Sequence, residues 1–192
     1  MMPNWGLAVI VLTMLLKAVT WWPNAKSLKS MQAMAKLKPE MDKLKERYGD
    51  DKNRMNVEVM SLYKKHGINP LGGCLPMLIQ MPIYIALYSM LGNSVELYRS
   101  GFVGWIHDLT APDPYFVMPL LTGACMYVQQ RFSPTPPDPQ QKAMMYMMPI
   151  MFTAISLWLP AGLTIYIFTN TLLTMVQQKL LKPGGAAAPA AR

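Results

Sequence analysis

WGLAVIVLTMLLKAVTWW, Trp5 to Trp22, is an apolar run with one ionisable group in it, Lys17. The run has about the length a helix needs to cross a bilayer, and a lysine near the centre of such a helix is disfavoured by about 2.5–3.5 kcal/mol on insertion scales. Helical spacing puts Thr13, Lys17, Thr20 and Asn24 on one face and turns Leu12, Leu15, Leu16 and Val19 elsewhere. That face then meets protein or water. Alternatively, Lys17 snorkels: it lies about five residues from Trp21 and Trp22, and its stem can reach the headgroups. On this run alone the two readings stand equal.

Of the 192 residues, 52% are hydrophobic and 15% charged, and the apolar residues gather into long blocks. This is the composition of an all-α polytopic membrane protein. Five spans are predicted, at about 5–22, 71–92, 115–131, 143–159 and 162–180. The cysteines, Cys74 and Cys125, match no metal or disulfide spacing and read as small core residues.

Charge placement orients the chain. Between Pro23 and Asn69 lie eleven Lys and Arg residues, marking that segment as cytoplasmic by the positive-inside rule. The loop after the second span sets Arg99 against Glu96, Asp108 and Asp113 and belongs outside. Arg131, Lys142, Lys179 and Lys182 place the next loop and the C-terminus inside, leaving the N-terminus outside. With no basic n-region ahead of Trp5, a preceding span or signal peptide is expected to deliver it there. The net charge of +8 is thus a topology signal, with anionic lipid a better partner than nucleic acid.

The cytoplasmic segment, about 25–68, reads as an antiparallel helical hairpin. Met31, Met34, Leu37, Met41, Leu44 and Tyr48 form one seam, with a kink or break expected at Pro39, and Met55, Val59, Leu62 and His66 form the other. An Asp after Gly49 is expected to cap the second helix, and His66 reads as structural. The second, third and fifth spans each have a polar stripe: Gln80, Tyr84 and Tyr88; Thr122, Cys125, Met126 and Gln129; Tyr166, Asn170, Thr174 and Gln177. One stripe alone is ordinary interhelical glue. Several of them, with Lys17, favour a shared wet cavity. The fourth span is Met-rich, the side chain of surfaces that accept many apolar partners, although gap-filling is the commoner use. The Pro-rich loop 132–141 is predicted to be a non-helical connection, and the Ala/Pro/Gly-rich tail 183–192 to be disordered. There is no phosphate-cradling Gly loop, no metal-ligand cluster and no pair of intramembrane carboxylates, so neither enzyme chemistry nor a cofactor is expected.

The run Asn69 to Tyr88, NPLGGCLPMLIQMPIYIALY, resembles the YidC/Oxa/Alb family of membrane protein insertases. The likeness continues through Trp105 to Leu109, Asp113-Pro114-Tyr115, Gly162-Leu163 and Gln177-Gln178, and residues 1–182 match the family's core. The resemblance implies five helices around a hydrophilic groove that is open to cytoplasm and lipid and closed outside, with one basic residue on the first helix. Lys17 takes that place, where bacterial members more often carry Arg, so a point charge replaces a bidentate fork. Family members from bacteria with an outer membrane add an N-terminal span and a periplasmic domain. Ribosome-holding members have long basic tails, so ribosome contact here is expected at the hairpin and the Pro-rich loop.

The resulting expectation is a non-enzymatic insertase and chaperone of the bacterial inner membrane, acting on nascent membrane proteins alone or beside a Sec translocon. Lys17, Thr13, Thr20, Gln80, Tyr84, Thr122, Gln129 and Asn170 would line its groove. Met77, Met81, Met148, Met151 and Phe152 would form the apolar slide by which a client helix reaches lipid. The alternative class is a small channel or solute carrier, which would need a hydrophilic exit and usually an internal repeat; no repeat is evident.

Overall fold

Asn4 starts the first helix by accepting the Leu7 amide N–H on its side-chain oxygen at 3.2 Å, which pairs one of the donors a helix start leaves open. That helix, α1 (Trp5–Val19), ends three residues before the expected limit of the first span. In the computed structural model, which describes residues 4–48, 51–73, 75–94, 100–133 and 139–181, α2 (Trp21–Lys36) leaves α1 at 62°. Two contacts account for the break. Thr20 Oγ1 donates to Leu16 O at 2.8 Å, and Gln177 Nε2 donates to the Trp21 carbonyl at 3.0 Å. Back-bonding hydroxyls and side chains inserted into the carbonyl ladder both bend helices. Asn24 therefore belongs to a different helix, and the expected stripe ends at Thr20.

The hairpin segment is interrupted near Pro39, where a break is expected, and of its three helices only two pair as a hairpin. Leu37 closes α2, and α3 (Lys38–Tyr48) restarts with Pro39 in its first turn. A proline ring clashes with the carbonyl four residues back, so the interruption falls just ahead of it. Freed from α3, α2 docks on the 3₁₀ turn Pro70–Gly73. Ser30 Oγ donates to Asn69 O at 3.1 Å, and a Cβ on Gly73 would lie 3.3 Å from Met34 Cε and 3.4 Å from Met31 Cγ. Met31 thus packs on this turn and not on the second seam. The true hairpin is α3 with α4 (Lys52–Lys65), which Asp51 caps by accepting the Arg54 N–H at 3.0 Å. Leu37, Met41 and Tyr63 form its core, with Met34, Val59, Leu62 and Ile68 against them. Leu44, Tyr48 and Met55 lie outside that cluster, and exposed His66 stands 3.7 Å from Glu40.

Four long helices complete the bundle: α5 (Leu75–Asn93), α6 (Val117–Phe132), α7 (Pro139–Ser156) and α8 (Ala161–Leu181). The last residues of the Pro-rich loop are therefore the first turn of α7, where proline's fixed φ suits a helix. Among the described helices, α5 alone is long and apolar enough to cross a membrane unaided, and α1 with α2 passes as a bent pair. The apolar part of α7 is Ala143–Ser156, and α8 is diluted by Thr, Asn and Gln. Gly123 lets α6 close on α7, since a Cβ there would collide with Thr153 Oγ1. The bundle is inverted relative to a water-soluble domain. Val19, Leu78, Ile85, Ile150 and Val176 are exposed, while Thr13, Lys17, Thr122, Thr171 and Gln177 are buried.

The readings of Cys74, Gly49, Asp50, Glu96, Arg99, loop residues 134–138 and tail 183–192 lie outside the described residues.

Candidate functional site

Lys17 does not snorkel. Its side chain turns into the bundle, is 7% exposed, and donates from Nζ to Thr174 Oγ1 at 2.7 Å. Thr174 Oγ1 in turn donates to Asn170 O at 2.7 Å, and Asn170 Nδ2 reaches Gln80 Oε1 at 3.4 Å. Gln80 Nε2 then donates to the hydroxyl of Tyr166 at 2.5 Å. A polar chain thus runs from α1 across α8 to α5. Its far end is aromatic: Tyr84 meets Tyr166 edge-on at 5.8 Å and Phe152 at 6.3 Å, linking α5 to α7. An ammonium carries three donors, and among the described residues no carboxylate lies within ion-pair reach of this one. The site therefore holds a positive charge with no carboxylate paired to it among the described residues.

The other predicted groove residues divide. Thr13, Thr20 and Thr122 return their hydroxyls to Val9, Leu16 and Met118 carbonyls of their own helices at 2.6, 2.8 and 2.7 Å. Gln129 is half-buried on α6, and its side chain is no part of the polar chain. Tyr88 departs from its stripe and is exposed. Met77, Met81, Met148 and Met151 are exposed on α5 and α7, while Phe152 turns inward onto Tyr84. The sequence reading did not single out Thr174 and Tyr166 from their stripe. Their four-residue spacing about Asn170 was the available signal.

One end of the polar chain is closed off. Leu91, Ile106, Leu109, Ala161, Ile165 and Ile167 form a dry core beyond Tyr166. The loop before α6 is stitched to the start of α8, with Ala161 N donating to Ala111 O at 2.8 Å and Gly162 N to Leu109 O at 2.9 Å. Asp113, read in the sequence only as a charge of the outer loop and as part of the family likeness, holds that loop. It is 2% exposed and accepts from Trp105 Nε1 at 3.0 Å, Tyr115 N at 3.1 Å and Met118 N at 2.7 Å. Cys125, half-buried with Sγ 3.6 Å from Met175 Sδ, is a packing residue as expected.

An all-α bundle with an apolar exterior and a buried, hydrogen-bonded polar chain that ends at a dry core is the architecture of a membrane protein. The chain belongs to the 60Kd inner membrane protein family, whose sequence profile matches residues 1–185. It is 53% identical over 188 residues to membrane protein insertase YidC of Anaeromyxobacter sp. (strain K), covering 97% of this chain and 34% of that protein. Against the YidC of Hahella chejuensis (strain KCTC 2396) it is 52% identical over 189 residues, 96% of this chain and 33% of the relative. The chain thus spans about a third of the length of the curated relatives it matches. A crystal structure of an active YidC insertase with its first transmembrane domain resolved superposes with a TM-score of 0.73 at 28% identity, over 90% of this chain and 41% of that one.

Proposed function

We propose that this chain is the working core of a membrane protein insertase and chaperone, a non-enzymatic device that lowers the barrier for moving short hydrophilic client segments across the bilayer. The observation that carries the reading is Lys17: a buried ammonium with no carboxylate paired to it among the described residues, on a polar chain that stops at a dry seal. Such a charge draws an acidic client segment partway across. The polar recess offsets the desolvation that lipid alone imposes. The client's apolar helix then leaves along the exposed methionines of α5 and α7, two helices that Tyr84 and Phe152 bridge, with hydrophobic burial driving release into lipid.

In this reading α1 and α5 to α8 are the five spans, the hairpin and C-terminus are cytoplasmic, and the Asp113 loop faces outside. The basic hairpin is the surface for a ribosome or Sec translocon. The channel alternative is disfavoured by the seal around Leu109. Reconstitution into vesicles with a short client bearing an acidic translocated segment, run beside an ion-flux assay, tests the proposal. Client protection from external protease without ion flux is expected; flux without insertion would make it a channel.

A further inference from the structure

A second ordered pattern lies on α2. Trp22, Lys26, Lys29 and Lys36 recur at steps of four, three and seven, and at 3.6 residues per turn they fall within about 80° of one another. All four are exposed, Trp22 at 72%, and Lys26 Nζ stands 5.5 Å from the centroid of the Trp22 ring. The opposite face is the docked one, with Ser27 and Leu28 buried and Met31 against Gly73. The helix is held by Gln177 at Trp21 O and by Ser30 at Asn69 O. Among the described residues no carboxylate is in ion-pair reach of the three lysines.

The bend at Thr20 decides how deep this stripe lies. From Trp22 to Lys36 the helix runs about 21 Å at about 1.5 Å per residue. Inclined 62° to α1, it gains only about 10 Å along the α1 axis. With α1 crossing the bilayer, Lys26 and Lys29 rise about 3 Å and 5 Å above the Trp22 level, within a headgroup layer of about 5–7 Å. Lys36 stays about one Debye length from it. Tryptophan is enriched at this interface, and lysines beside it meet lipid phosphate as point charges.

We infer that the Trp22, Lys26, Lys29 and Lys36 stripe of α2 is a ledge that binds anionic phospholipid headgroups and seats the hairpin arm against the cytoplasmic leaflet. The inference rests on the membrane reading above in taking α1 to cross the bilayer. Near an anionic surface each lysine contributes about 1 kcal/mol, about fivefold in association.

The test uses the full chain in vesicles of phosphatidylcholine with spin-labelled phosphatidylglycerol or spin-labelled phosphatidylcholine as probe, reading the protein-restricted fraction of each. The parent is expected to restrict phosphatidylglycerol several-fold more, less so at high salt. The triple variant Lys26→Gln, Lys29→Gln, Lys36→Gln should lose most of that preference, and the triple Arg variant should keep it. Lys38→Gln with Lys43→Gln, on α3, should change it little. Equal loss in the α3 pair would make net charge the cause and overturn the ledge. Protein that floats with the vesicles yet treats both headgroups alike would assign the stripe to an acidic protein segment and also overturn it. Protein that fails to float would instead refute the membrane reading.

Discussion

Replacing Lys17 with methionine removes the charge while keeping an unbranched stem of similar length. Opposite unit charges about 4 Å apart attract by about 1 kcal/mol in bulk water and about 4 kcal/mol at an effective dielectric constant of 20. Lys17 is 7% exposed, at one end of a polar chain whose other end meets a dry core, so its attraction for a client carboxylate falls in the upper part of that range, about 2–4 kcal/mol. Insertion of a client with one acidic translocated residue should therefore drop about 30- to 900-fold if that attraction sets the barrier. The fold should respond in the opposite direction. Methionine forfeits the hydrogen bond to Thr174, about 1.5–3 kcal/mol for a charged donor, yet removes a buried ion whose desolvation costs several kcal/mol. Thr174 keeps its own bond to Asn170 O. The variant should be as stable as the parent or more so.

The assay pairs thermal unfolding in detergent with protease protection of two clients in vesicles, one with a neutral and one with an acidic translocated segment. Lys17→Arg should retain insertion, and Lys17→Glu should fall below Lys17→Met for the acidic client only. A methionine variant that loses stability while inserting the acidic client like the parent would refute the reasoning and make Lys17 a structural strut.

Gln80→Leu leaves the Tyr166 hydroxyl, on a residue 1% exposed, without its donor and should cost about 1–3 kcal/mol. Adding Tyr166→Phe should return most of that, and a thermal-melt cycle with purely additive losses would show that the pair does not interact. Asp113→Ala orphans three donors at about 1–3 kcal/mol for each that stays buried. It should let an external thiol reagent reach a cysteine at position 167 in a background lacking Cys74 and Cys125, and unchanged protection would mean the seal does not depend on this carboxylate.

Local pattern accounts for much of what the structure contains. Helical periodicity marks which residues of α5, α6 and α8 share a face, because that depends only on 3.6 residues per turn. The Asp51 cap and the interruption near Pro39 follow equally from nearest neighbours. So does the demand that Lys17 be compensated, since a charge in an apolar run is a local contradiction. Periodicity cannot say which helix a face meets. Lys17 finds its partner in Thr174, 157 residues away, and only packing could have chosen it over Gln80 or Thr122. The Thr20 bend required the carbonyl of Trp21 to meet Gln177 from α8. The docking of α2 required a glycine turn under Met31 and Met34. The closed end required Asp113 to gather donors from its loop and from the start of α6. A groove and a pore can share the same polar stripes; only the tertiary arrangement packs Leu109 against Gly162 in the dry core that ends the polar chain.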